Sequence, residues 1–84
     1  MPRREVKSTN RREYELLISM VAKARIEAGF SQGELARKTG ISQPTISDIE
    51  SGKRRLDLVE LLDILKALEL APLPFVQEFL SLTN

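Results

Sequence analysis

The sequence predicts a single all-α domain built from five helices. Three observations lead there. Apolar residues recur at helical spacing in five separate stretches; several stretches open on a Ser or Asp with a Glu three positions later and close on a Gly; and no stretch shows strand-like alternation or an Asn-Gly hairpin turn. With 84 residues, 42% hydrophobic and 30% charged, the chain has material for one core and not for two.

The first helix is expected over residues 10–28. Leu17, Met20, Val21 and Ala24 share one face, Gly29 follows as a stop, and Asn10 with Glu13 has the spacing of a reciprocal capping box. Residues 1–9 then form a basic arm, expected to be mobile, ahead of a domain spanning 10–84. Arg3, Arg4 and Lys7, continued by Arg11 and Arg12, suit a phosphate backbone or minor groove and equally suit a solvated tail.

The second helix, in "SQGELARKTG", opens on Ser31 and Glu34, turns Leu35 and Ala36 inward and stops at Gly40. At about two turns it forms only by packing. The third, in "SQPTISDIESG", takes Ser42 as cap, buries Ile46 and Ile49 behind Ile41, and ends at Gly52. Pro44 falls in its first turn, where an amide donor has no intrahelical partner to lose. For the fourth, Asp57 caps, Glu60 completes the box, and Leu58, Leu61, Leu62, Leu65 and Leu68 form the apolar stripe. "ELAPLP" breaks the chain, and Phe75, Val76, Phe79 and Leu80 define a last helix over 73–82, weakly started because Ala71 stands where a capping residue would help.

Composition narrows the chemistry. Cysteine and histidine are both absent, so disulfides, thiolate or imidazole metal sites and the common nucleophile-base pairs cannot be assembled, and a non-enzymatic protein without cofactor or metal is expected. No stretch has the length and apolarity of a membrane span or signal peptide, which points to the cytoplasm. The net charge of +1 hides an asymmetry: residues 1–55 hold 12 Lys/Arg against 7 Asp/Glu, and residues 56–84 hold 1 against 5. The basic part favours phosphates or an acidic partner.

Helices two and three are joined by Gly40 and Ile41 alone, a link short enough to force a steep crossing. The unit at residues 31–51 is a helix-turn-helix, with Ala36 small enough for close approach. From there "GFSQGELARKTGISQPTISDIESGKRR", continued through "DLVELLDILKALEL", resembles the Cro and phage-repressor type of helix-turn-helix DNA-binding domain, the XRE family, over residues 14–82. The resemblance implies a compact lambda-repressor-like domain whose third helix enters the DNA major groove, commonly as a homodimer on a two-fold operator.

Carried over residue by residue, the resemblance makes Gln32 a phosphate contact that steadies Gln43, and places Gln43, Pro44, Thr45, Ser47 and Asp48 toward base edges or the nearby backbone. Ser51 and Lys53 match phosphate-contacting positions. Arg25 and Glu50 match a partly buried structural ion pair. The residues support some of this independently: Gln43 can offer adenine a donor and an acceptor together, and Lys53, Arg54 and Arg55 put positive charge after a helix end and beside a phosphate. Asp48 is repelled by phosphates unless it accepts from a cytosine amino group. Gly33 departs from the family pattern at a cost of about 1 kcal/mol against alanine. Phe75, Phe79 and Leu82 are candidates for a dimer face.

The expected function is a sequence-specific transcriptional regulator of the repressor kind, bound to double-stranded DNA. A protein-interaction module of the same fold, docking through Phe75 and Phe79, is the alternative, and a toxin is one conceivable protein partner.

Overall fold

The structure is a computed structural model and describes residues 6–83, with side chains from Arg12 onward. Five helices follow one another: α1 (Val6–Glu27), α2 (Gln32–Thr39), α3 (Gln43–Glu50), α4 (Leu58–Ala67) and α5 (Pro72–Thr83). No strand occurs among the described residues. No helix among them is long and apolar enough to cross a membrane.

Local chemistry explains most boundaries. Ser31 Oγ accepts from the Glu34 amide at 3.0 Å while Glu34 accepts from the Ser31 amide at 2.8 Å. Asp57 and Glu60 repeat that box at the start of α4, at 2.7 and 3.1 Å. Each box satisfies two donors that a helix start leaves free. Ser42 caps α3, and Pro44 lies within its first turn. α1 corrects the expected start: it runs back to Val6, so Asn10 lies inside the helix and not at its first turn. Between Val6 and Asn10 there is no Gly or Pro, and an established helix propagates readily through such residues. Arg3 and Arg4 lie outside the described residues, as do the side chains of Lys7 and Arg11.

α2 packs against α3 and α4, α1 against α3 and α5, and α4 against α5, and the buried core contains Met20, Val21, Leu35, Ile46, Leu61, Ile64, Leu65, Leu68 and Phe75. The α4 stripe is rotated from the expected one. Ile64 is fully buried, whereas Leu58 and Val59 are each 66% exposed and Leu62 is exposed. Leu61, Ile64, Leu65 and Leu68 recur at three- and four-residue steps and fill the single inward stripe, leaving Leu58 and Leu62 on its flank. On α5, Phe75 is a core residue and Phe79 packs against the same core. Phe75 is thereby committed to the core, while Phe79 keeps part of its surface exposed. Leu82 is exposed, and Leu73, Val76 and Leu80 form a separate outward row.

Three helix ends close alike. The amides of Phe30, Lys53 and Leu70 each donate to the carbonyl five residues back, on Arg25, Asp48 and Leu65. This closure requires a left-handed residue just before the donor. Gly29 and Gly52 supply it at φ of 82° and 83°, but on α4 the position is held by Glu69 at φ 60°.

Candidate nucleic-acid interface

The helix-turn-helix is built by its turn. Gly40 adopts φ 79°, a conformation that side chains disfavour, and its amide closes on the Ala36 carbonyl at 2.8 Å. Thr39 braces the same corner: its hydroxyl donates to the Leu35 carbonyl at 2.8 Å and accepts from the Ile41 amide at 3.1 Å. With Ile46 and Ile49 each only 1% exposed, α3 presents a fixed outer face. Gln43, Pro44, Ser47 and Asp48 lie on it, all exposed, with Ser51 at its end. Thr45 is half-buried and its hydroxyl accepts from Ser42 at 2.8 Å, which ties it to the helix cap.

One ionic network fixes this helix to the rest. Arg25 Nε and Nη2 donate to Glu50 at 2.7 and 3.0 Å, Arg25 Nη1 donates to the Phe30 carbonyl at 2.7 Å, and Gln32 Nε2 donates to Glu50 at 3.0 Å. The two charged side chains are 12% and 9% exposed. Glu50 holds the Arg25 guanidinium in its charged form, raising its pKa further above the ordinary range against the opposing effect of burial. α1, α2 and α3 thus meet at one carboxylate.

The network alters the expected role of Gln32. Its Nε2 donates to Glu50, and it makes no hydrogen bond with Gln43. Gln43 instead leans over Gly33, where an added Cβ would stand 3.3 Å from its Oε1. Close approach of the Gln43 side chain, and not a positive φ, is what sets Gly33 apart.

The basic loop divides its arginines. Arg54 donates to both Glu60 oxygens, at 3.0 and 2.8 Å, so it is committed to an intramolecular pair. That pairing lowers the Glu60 carboxyl below its ordinary range, helped by the Asp57 amide. Lys53 and Arg55 are exposed, without an ionic partner among the described residues. The Arg55 guanidinium stacks over the Tyr14 ring at 5.0 Å from its centroid. The Tyr14 hydroxyl donates to the Arg54 carbonyl at 3.0 Å and accepts from the Leu56 amide at 2.8 Å. Tyr14 is missed by sequence reasoning, since 40 residues separate it from Arg54 and no local spacing signals the contact.

Among the described residues no group of His, Cys, Asp or Glu side chains could hold a metal ion. The exposed chemistry is thus that of α3 with its amide, hydroxyl and carboxylate groups, next to Lys53 and Arg55. Amide and hydroxyl groups on a projecting helix match the hydrogen-bonding edges of a major groove, and the adjacent cations match its phosphates.

Comparison with known proteins agrees with that chemistry. The model of the helix-turn-helix family matches residues 21–75. An XRE-family like protein from Pseudomonas syringae pv. tomato str. DC3000 is 29% identical with a TM-score of 0.89, over 95% of this chain and 98% of that one. The restriction-modification controller protein C.Esp1396I is 29% identical with a TM-score of 0.76, over 82% of this chain and 91% of that one. The same controller, as a tetramer in complex with its natural 35 base-pair operator, matches at 28% identity and a TM-score of 0.76, over 84% of this chain and 93% of that one. No curated protein sequence matches the chain.

Proposed function

The chain belongs to the helix-turn-helix family, in its XRE branch, and from that premise we propose that it is a sequence-specific DNA-binding transcriptional regulator, acting as a repressor in the cytoplasm. It performs no reaction of its own. The observation that carries the reading is the outer face of α3, held out by the buried Ile46 and Ile49 and flanked by Lys53 and Arg55. Gln43, Ser47 and Asp48 read base edges, Pro44 offers apolar contact to a thymine methyl group, and Thr45 stiffens the helix start. Lys53, Arg55 and Ser51 hold phosphates; Arg54 serves the loop through Glu60. Asp48 accepts from a cytosine amino group at one operator position.

Two copies act together. Leu73, Val76 and Leu80 on α5, and Leu58, Val59 and Leu62 on α4, leave more apolar surface exposed than a lone domain needs. Their burial between two copies would set two α3 helices about 34 Å apart, one turn of DNA. The controller protein bound to its operator as a tetramer supports an oligomeric reader by analogy.

Selection of bound fragments from random duplex DNA at low salt, followed by sequencing, tests the reading. A two-fold motif is expected, with affinity falling by about 0.9 log unit per phosphate contact for each tenfold rise in salt. Failure to retain any duplex refutes it. Arg55→Glu should abolish retention, whereas Asp48→Ala should keep the motif and lose the preference for cytosine at one position.

A further inference from the structure

We propose that Tyr14 is a positioning residue for the phosphate grip: it holds the loop after α3 closed and presents the Arg55 guanidinium to DNA. The inference rests on the DNA-binding reading above. A half-buried tyrosine needs one partner for its hydroxyl, but this one bridges two backbone groups on either side of Arg55, the Arg54 carbonyl and the Leu56 amide. Its ring meets the guanidinium of the residue between them. The same peptide is fixed from its other side, because Arg54 Nη1 donates to the Arg55 carbonyl at 3.0 Å while Glu60 holds that guanidinium.

Two neighbouring arginines are thereby given different tasks. Arg54 is turned toward α4 and consumed by Glu60. Arg55 is held over the Tyr14 ring, and its guanidinium N–H groups make no hydrogen bond among the described residues, which leaves the fork open to an acceptor such as a phosphate oxygen. Stacking on Tyr14 also removes rotamer freedom before DNA arrives, so less is lost when the phosphate is bound. A phenylalanine would keep the stack and lose the bridge. A leucine would lose both.

The test titrates the full chain with a duplex that the wild type retains, over about 50 to 200 mM salt. Tyr14→Phe should weaken binding about three- to tenfold, the loss of a bridging hydroxyl, and should free the Leu56 amide to exchange. Tyr14→Leu should weaken binding more. Arg55→Ala should reduce the salt slope by about 0.9, and in that background Tyr14→Leu should cost no further affinity. A merely structural tyrosine would lower stability while leaving the salt slope and the coupling to Arg55 untouched. Equal losses from Tyr14→Leu with and without Arg55, or wild-type affinity and Leu56 protection in Tyr14→Phe, overturn the proposal. If Tyr14→Leu does not fold, Tyr14→Phe decides alone through those two readouts. A wild-type chain that retains no duplex overturns instead the DNA reading on which the proposal rests.

Discussion

Glu50→Ala is the most informative single change, because one carboxylate joins three helices. It accepts two hydrogen bonds from Arg25 and one from Gln32, with distances of 2.7 to 3.0 Å. Truncation leaves a guanidinium that is 12% exposed beside an empty site, and an amide without its acceptor. Breaking a fully buried pair costs about 3–5 kcal/mol; residual solvent contact on both partners places this one near the lower end, at about 3 kcal/mol. For a domain of this size that is a fall in Tm of roughly 12–24 °C. Arg25→Ala should cost as much, since it also forfeits the bond to the Phe30 carbonyl. The assay is urea unfolding followed by far-ultraviolet circular dichroism for wild type, both single variants and the double. A coupling of about 2 kcal/mol is expected between the two sites. Arg25→Met with Glu50→Leu should recover much of the loss, because apolar groups of similar volume leave no stranded charge. A coupling under about 0.5 kcal/mol would refute the claim that this pair locks α3 in place.

Three further outcomes follow from the geometry. Gly33→Ala should stabilise the fold by up to about 1 kcal/mol through helix propensity, yet displace the exposed Gln43 side chain; unchanged base preference in a binding-site selection would contradict the contact over Gly33. Glu69→Gly should raise stability by about 1 kcal/mol, by removing the side-chain penalty of the left-handed conformation that ends α4, and a thermal melt checks it. Glu60 is held below the ordinary carboxyl value of 4.5 by Arg54 and the Asp57 amide, and Glu34 by its bonds with Ser31. Both groups are ionised more readily folded than unfolded, so the stability they add is complete above pH 4.5 and drains away as pH falls through the lowered folded values. Glu60→Gln should therefore lower Tm at neutral pH and flatten its decline in acid, with no new transition between pH 6 and 8.

What could be read from the residues was what depends on near neighbours. The capping boxes at Ser31 and Asp57, the Gly40 turn and the inward Ile46 and Ile49 follow from spacings of three or four residues, and the structure forms them. The Arg25–Glu50 pair spans 25 residues and came only from the family resemblance. Crossing geometry escaped notice elsewhere. The resemblance pairs Gln32 with Gln43, whereas Gln32 Nε2 donates to Glu50 at the other end of α3. Charge alone places Arg54 among the phosphate contacts and does not reveal that Glu60, six residues on, pairs with it at the start of α4. The leucines of α4 satisfy helical periodicity around more than one stripe, and only the placement of α1, α2 and α5 decides which of them is covered.

The ionic anchors of this domain carry one more implication, for control. Both are arginine-to-glutamate pairs, and each displaced pKa moves away from neutrality: the arginines upward, Glu34 and Glu60 downward. The chain has no histidine to sense protons near neutral pH and no cysteine to sense oxidation. On the DNA-binding reading, operator occupancy by these residues is blind to modest acidification and to redox stress. Its phosphate contacts leave it responsive to ionic strength and to the number of molecules present.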